Sequence, residues 1–116
     1  MAHANKRVAL VIGNSLYQEF GPLVNPARDA QAVGDKLHSL GFAVTVQHDR
    51  SKKDLLQDIE AFLVEARGAD LALFYYAGHG VRLTATGKNF LIPVDFGQSP
   101  GRSQLSQGVE LEDYAS

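Results

Sequence analysis

Two uninterrupted apolar runs, Val8 to Ile12 in RVALVIGN and Leu71 to Ala77 in DLALFYYAG, constrain the fold more than any other feature of the chain. Neither run alternates with the period of a half-buried strand or repeats with the period of a helix, so each predicts a strand covered on both faces. Strands of that kind belong to parallel sheets whose crossover helices lie on the two faces. The sequence between them supplies the crossovers. NPARDAQAVGDKLHSLGF predicts a helix with Asn25 as N-cap, Pro26 at the first helical position and Gly41 just past the end. Ala30, Val33, Leu37 and Leu40 fall on one face of it. FAVTVQHD predicts a second strand. Ser51, followed three residues later by Asp54, resembles a weak capping box, and Leu55, Ile59, Phe62 and Ala66 form the apolar stripe of a second helix that ends at Gly68.

A strand-helix-strand-helix-strand order predicts a parallel sheet with right-handed crossovers. Helices on opposite faces require the chain to wind both ways from the first strand, so the expected strand order is 2-1-3. Function in such sheets sits at the carboxyl ends of the strands. Two loops leave that edge, one from Gly13 to Asn25 and one from Gly78 onward, and they are expected to meet. After His79, VRLTATGKNFLIPVDF holds two short alternating runs around Thr86-Gly87, which predicts a small antiparallel hairpin. GQSPGRSQLSQG then reads as a flexible loop, and VELEDYAS is too short to classify. On this basis residues 1–96 form the α/β domain and 97–116 a loop with a terminal segment.

Composition narrows the chemistry. A chain of 116 residues supports a single core. With no cysteine it holds neither a disulfide nor a cysteine-ligated metal. The net charge of -2, with both signs interspersed, gives no footprint for nucleic acid or an anionic membrane, and Lys36, Arg50, Lys52 and Lys53 read as a solvated face. No apolar run approaches the roughly 20 residues of a bilayer span, and Met1 to Arg7 is not followed by a signal-peptide core. A soluble, cytoplasmic chain is the expectation. His3, His38 and His48 lack metal-ligand spacing.

FYYAGHG places His79 between two glycines where a buried strand opens into a loop. Together with VALVIGNSLY, NPARDAQAVGDKLHSLGF and GKNFLIPVDF, this segment resembles the amino-terminal half of the caspase-like cysteine peptidases, most closely their bacterial metacaspase-like branch. The resemblance spans Lys6 to Phe96. It implies a caspase-like (flavodoxin-like) α/β fold, here incomplete, with three parallel strands, two main helices and a small hairpin after His79. It also implies that His79 is the general base and that Gly80 lends its N–H to an oxyanion hole. Asp29 then matches the aspartate that lines a specificity pocket for Arg or Lys, and Asn14 belongs to the substrate-side loop after the first strand. Calcium activates some metacaspases, so the resemblance admits calcium as a cofactor, with no site identified; Glu110, Glu112 and Asp113 read more simply as a solvated acidic tail.

These residue types suit that chemistry. A thiolate needs an imidazole that titrates near neutrality, and flanking glycines let the backbone approach a substrate carbonyl closely. The nucleophile, however, is missing, because no cysteine is present and no Ser or Thr has a context that replaces it. Each residue also has a plain structural rival. His79 can be a hydrogen-bonded histidine at a strand end, and Asp29 a first-turn charge favoured by the helix dipole.

Three function classes follow. The first is the histidine-bearing part of a cysteine endopeptidase, inactive alone and acting on peptide or protein substrates when the missing half is supplied. The second is a non-catalytic caspase-like module acting through self-assembly or protein interaction. The third is a flavodoxin-like ligand-binding or receiver domain, disfavoured because the first loop has no Gly-rich phosphate cradle and no acidic cluster follows the first strand. The 71–76 edge is expected to pair with another copy, by edge contact or strand exchange, as a closed dimer or a filament.

Overall fold

The structure, a computed structural model, describes residues 6–17, 21–22, 25–82, 89–96 and 108–110. In chain order the elements are β1 (Arg7–Gly13), β2 (Leu16–Tyr17), β3 (Gly21–Pro22), α1 (Asn25–Ser39), β4 (Ala43–His48), α2 (Lys52–Ala66), β5 (Leu71–Ala77), β6 (Gly80–Arg82), β7 (Asn89–Leu91) and β8 (Val109–Glu110).

β1 runs parallel to both of its neighbours, and the sheet order is β4-β1-β5, the expected 2-1-3. The continuous apolar run of β1 has a direct cause: successive side chains enter two different cores. Ala9 and Val11 pack with Ala30, Leu37 and Phe42 on the α1 side. Leu10 and Ile12 point the other way onto Leu55 and Ile59 of α2, joined by Leu91 and Val109. Leu10, Ile12 and Leu55 are almost wholly buried, and each contributes about 1.5–3 kcal/mol of hydrophobic stabilisation.

Both helices end as their sequences dictate. At the end of α1 the Phe42 N–H donates to the Leu37 carbonyl (3.1 Å) and the Gly41 N–H to the His38 carbonyl (3.1 Å), with Gly41 at φ +88°. That is the Schellman arrangement, and the accompanying apolar contact is supplied by Leu37 and Phe42, both buried in the α1-side core. At the start of α2, Ser51 is extended and its hydroxyl accepts from the Asp54 N–H at 3.2 Å, while the Asp95 carboxylate accepts from the Lys52 N–H at 3.0 Å.

Four expectations need correction. Leu40 is 49% exposed and does not join the α1 stripe, because α1 stops at Ser39 and the turn at Gly41 swings Leu40 off the buried face. Asp29 lies beyond the first turn of α1, which holds no acidic residue, so its dipole role weakens. β5 is not fully buried: Leu71 and Ala72 are exposed and the rest half-buried, since among the described residues β5 pairs only with β1. Finally, the terminal segment takes part in the fold. β6, β7 and β8 form an antiparallel sheet, and Val109 of β8 is 2% exposed in the α2-side core. The hairpin after His79 is thus β6 paired with β7, while its turn at Thr86-Gly87 and the loop at 97–107 lie outside the described residues. Among the described residues no helix is long and apolar enough to cross a membrane.

Candidate active site

Three connections converge at the carboxyl edge of the parallel sheet: β1 into the first loop, β4 into α2, and β5 into β6. Gly13 ends β1 with α1 packed hard against it. A Cβ at Gly13 would lie 2.7 Å from the Pro26 carbonyl oxygen and 2.7 Å from Ala30 Cβ, so the backbone approach there requires glycine. Asn14 follows, with its N–H donating to the Ala77 carbonyl at the end of β5 (2.9 Å).

The side chain of Asn14 is fully buried. Its Oδ1 accepts from the Arg50 N–H at 2.8 Å, which fixes the amide orientation, because a backbone N–H can only donate. Nδ2 therefore faces the Tyr76 hydroxyl and the Ile92 carbonyl, each at 3.4 Å. The Tyr76 hydroxyl in turn lies 2.9 Å from the carbonyl oxygens of both His79 and Ile92. The Ile92 N–H donates to the same His79 carbonyl at 3.1 Å. His79 is half-buried and Gly80 exposed, at the point where the chain passes from the parallel sheet into β6.

Ser15 and Asp49 hold the other side of the loop. The Asp49 N–H donates to the Gly13 carbonyl (3.0 Å), and its carboxylate Oδ1 accepts from the N–H groups of Ser15 and Leu16, both at 2.9 Å. Asp49 adopts φ +56°, the one left-handed non-glycine residue described, a conformation that aspartate tolerates better than most side chains. The Ser15 hydroxyl accepts from the Ala27 N–H of α1 at 3.0 Å and so satisfies a donor that the first turn cannot. Asp29 stands exposed on α1, one residue before the Ala30 that contacts β1. Arg50 is anchored by two bonds to Asp58, at 2.7 and 3.1 Å, and its guanidinium is held above its already high range chiefly by this hydrogen bond.

His79, Gly80, the start of α1 with Asp29, and the first loop therefore share one edge of the sheet. Asn14 is the exception among the expected substrate contacts: with no exposed surface and both ends of its amide engaged, it offers no atom to a ligand. Tyr76, Ser15 and Asp49 were not singled out in the sequence. Tyr76 carried a signal, a hydroxyl at the end of an apolar strand that must find a partner once buried. Asp49 carried little, since its partners are 33 and 34 residues away. Among the described residues no group of three or more His, Asp or Glu is placed to hold a metal ion, and Glu112 and Asp113 lie outside the described residues.

The caspase-domain family model matches residues 6–114. The human mucosa-associated lymphoid tissue lymphoma translocation protein 1 is 34% identical over 101 residues, covering 87% of this chain and 12% of that protein. Its mouse homolog matches with the same identity and coverage. The chain thus spans a small fraction of these relatives, both mammalian, which leaves a bacterial metacaspase branch without support from them. With a match running from Lys6 almost to the last residue, the chain belongs to the caspase-like cysteine peptidase family.

Proposed function

We propose that this chain is the histidine-bearing part of a caspase-like cysteine endopeptidase. His79 acts as general base and the Gly80 N–H as an oxyanion donor, toward a thiol nucleophile carried by a segment other than these 116 residues. The observation that supports this best is the position of His79, on the short link between β5 and β6 at the carboxyl edge, inside a caspase-domain match covering nearly the whole chain. In the proposed mechanism the imidazole takes the thiol proton as sulfur attacks the substrate carbonyl, then returns it to the leaving amine; the Gly80 N–H stabilises the oxyanion between those steps. Asp29 is exposed near the start of α1 and suits a basic side chain of the substrate.

Without a cysteine, the chain alone does not turn over peptide substrates with Arg, Lys or Asp at the cleavage position. Peptide hydrolysis by the purified chain, compared with His79→Ala, tests this. Turnover that survives the substitution sinks the mechanism, and turnover abolished by it reveals another nucleophile within the chain.

One observation favours a second reading, a non-catalytic module that self-associates. Among the described residues the far edge of β5 is unpaired and Leu71 is 51% exposed, a template for strand addition. Sedimentation over a concentration series distinguishes the two, since the module requires a dimer or larger species and a monomer at all concentrations rules it out.

A further inference from the structure

His79 lies on a two-residue bridge, Gly78-His79, between the parallel sheet and the antiparallel sheet of β6, β7 and β8. Its main chain is held from both sheets at the His79 carbonyl. The His79 carbonyl oxygen accepts from the Tyr76 hydroxyl, which rises from β5, and from the Ile92 N–H, which follows β7. Both lone pairs of that carbonyl are thereby used. The Tyr76 hydroxyl oxygen lies 2.9 Å from two carbonyl oxygens, those of His79 and Ile92, and Asn14 Nδ2 completes the cluster against the Tyr76 and Ile92 oxygens. The Arg50 N–H on Asn14 Oδ1 prevents the amide from turning over.

We propose that Tyr76 and Asn14 are positioning residues for His79. They fix its main chain, and hence the place from which the imidazole projects, without touching substrate. The proposal rests on the reading of His79 as the general base for its catalytic meaning, but its geometry and its test do not. Tyr76 is the better handle, because Tyr76→Phe removes one oxygen and keeps the ring.

The test is NMR on the chain itself, with Ile59→Val as a control that loosens the α2-side core, against which Tyr76 packs, while leaving the Tyr76 hydroxyl in place. In Tyr76→Phe the Ile92 amide is expected to exchange at least about tenfold faster, and the His79 ring signals to broaden or split as the bridge samples more than one conformation. Ile59→Val is expected to lower the melting temperature yet leave the His79 ring signals in place. Should Tyr76→Phe not fold, the unsubstituted chain still decides: a slowly exchanging Tyr76 hydroxyl proton, close in space to Ile92 and His79, is expected. The proposal is overturned if Tyr76→Phe leaves the His79 ring signals and Ile92 exchange as they are in Ile59→Val, or if no such hydroxyl proton is detected. Neither readout depends on turnover, so this proposal and the peptidase reading can fail separately.

Discussion

Asp49 offers a sharp test of how the candidate site is held together. Its carboxylate accepts two backbone N–H groups at 2.9 Å, one from the buried Ser15 and one from the exposed Leu16, and its backbone is left-handed at φ +56°. Asp49→Ala strips both bonds. The Ser15 donor is left without its partner inside the fold, at a cost of about 1–3 kcal/mol, whereas water replaces the partner of the Leu16 donor for about 0.5 kcal/mol. Alanine also fits the left-handed region less well than aspartate, which adds about 0.5–1 kcal/mol. The expected total is about 2–4.5 kcal/mol. Asp49→Gly loses the same bonds but accepts the backbone, so it falls short of the alanine variant by about 0.5–1 kcal/mol. Asp49→Asn keeps an acceptor oxygen and a tolerant backbone, and costs least. Urea denaturation followed by far-UV circular dichroism, with an unchanged slope, reads these differences as shifts in midpoint. An alanine variant within about 0.5 kcal/mol of the unsubstituted chain, or a glycine variant less stable than alanine, refutes the reasoning.

Other outcomes follow from the same geometry. Gly13→Ala forces a Cβ to within 2.7 Å of the Pro26 carbonyl oxygen and of Ala30 Cβ, so it is expected to destabilise by about 1–3 kcal/mol; equal or greater stability in the same urea titration contradicts that close approach. Leu55→Ala, at a position with no exposed surface, is expected to cost about 2–5 kcal/mol by thermal or urea denaturation, and a loss below about 1 kcal/mol contradicts the α2-side core. The Arg50 guanidinium is pushed up by its bond to Asp58, so its contribution is complete below the ordinary arginine range and is lost only as pH rises through the higher folded value. Stability measured from about pH 7 to pH 10 should therefore show no loss that Arg50→Met removes.

The sheet was legible because its signals are local. The run Val8–Ile12 announced a strand buried on both faces, and Gly41 and Ser51 announced helix ends that the structure forms with the expected bonds. Where pattern reading failed, distance was the cause. Val109 belongs to a two-residue strand, too short for any periodicity, and its burial depends on Leu10, Leu55 and Leu91. Leu40 matched the helical spacing, but the spacing could not tell that α1 would stop one residue earlier. At the site, the Gly-His-Gly segment was visible as a local motif. The hub behind it was not, because Asn14, Arg50, Tyr76 and Ile92 come from four separate segments and meet only after β1 has paired with β4 and β5. Asn14 consequently read as a loop residue facing substrate, whereas its amide is spent inside the fold.

The most direct test of the account is peptide hydrolysis by the whole polypeptide that the gene encodes, read through Ser116 to its stop codon and expressed intact, alongside its His79→Ala variant. The account predicts a cysteine in the encoded sequence beyond these 116 residues, and turnover that falls by at least about 100-fold when His79 is replaced. An encoded sequence without a cysteine, or turnover that His79→Ala leaves within about tenfold of the original, contradicts it.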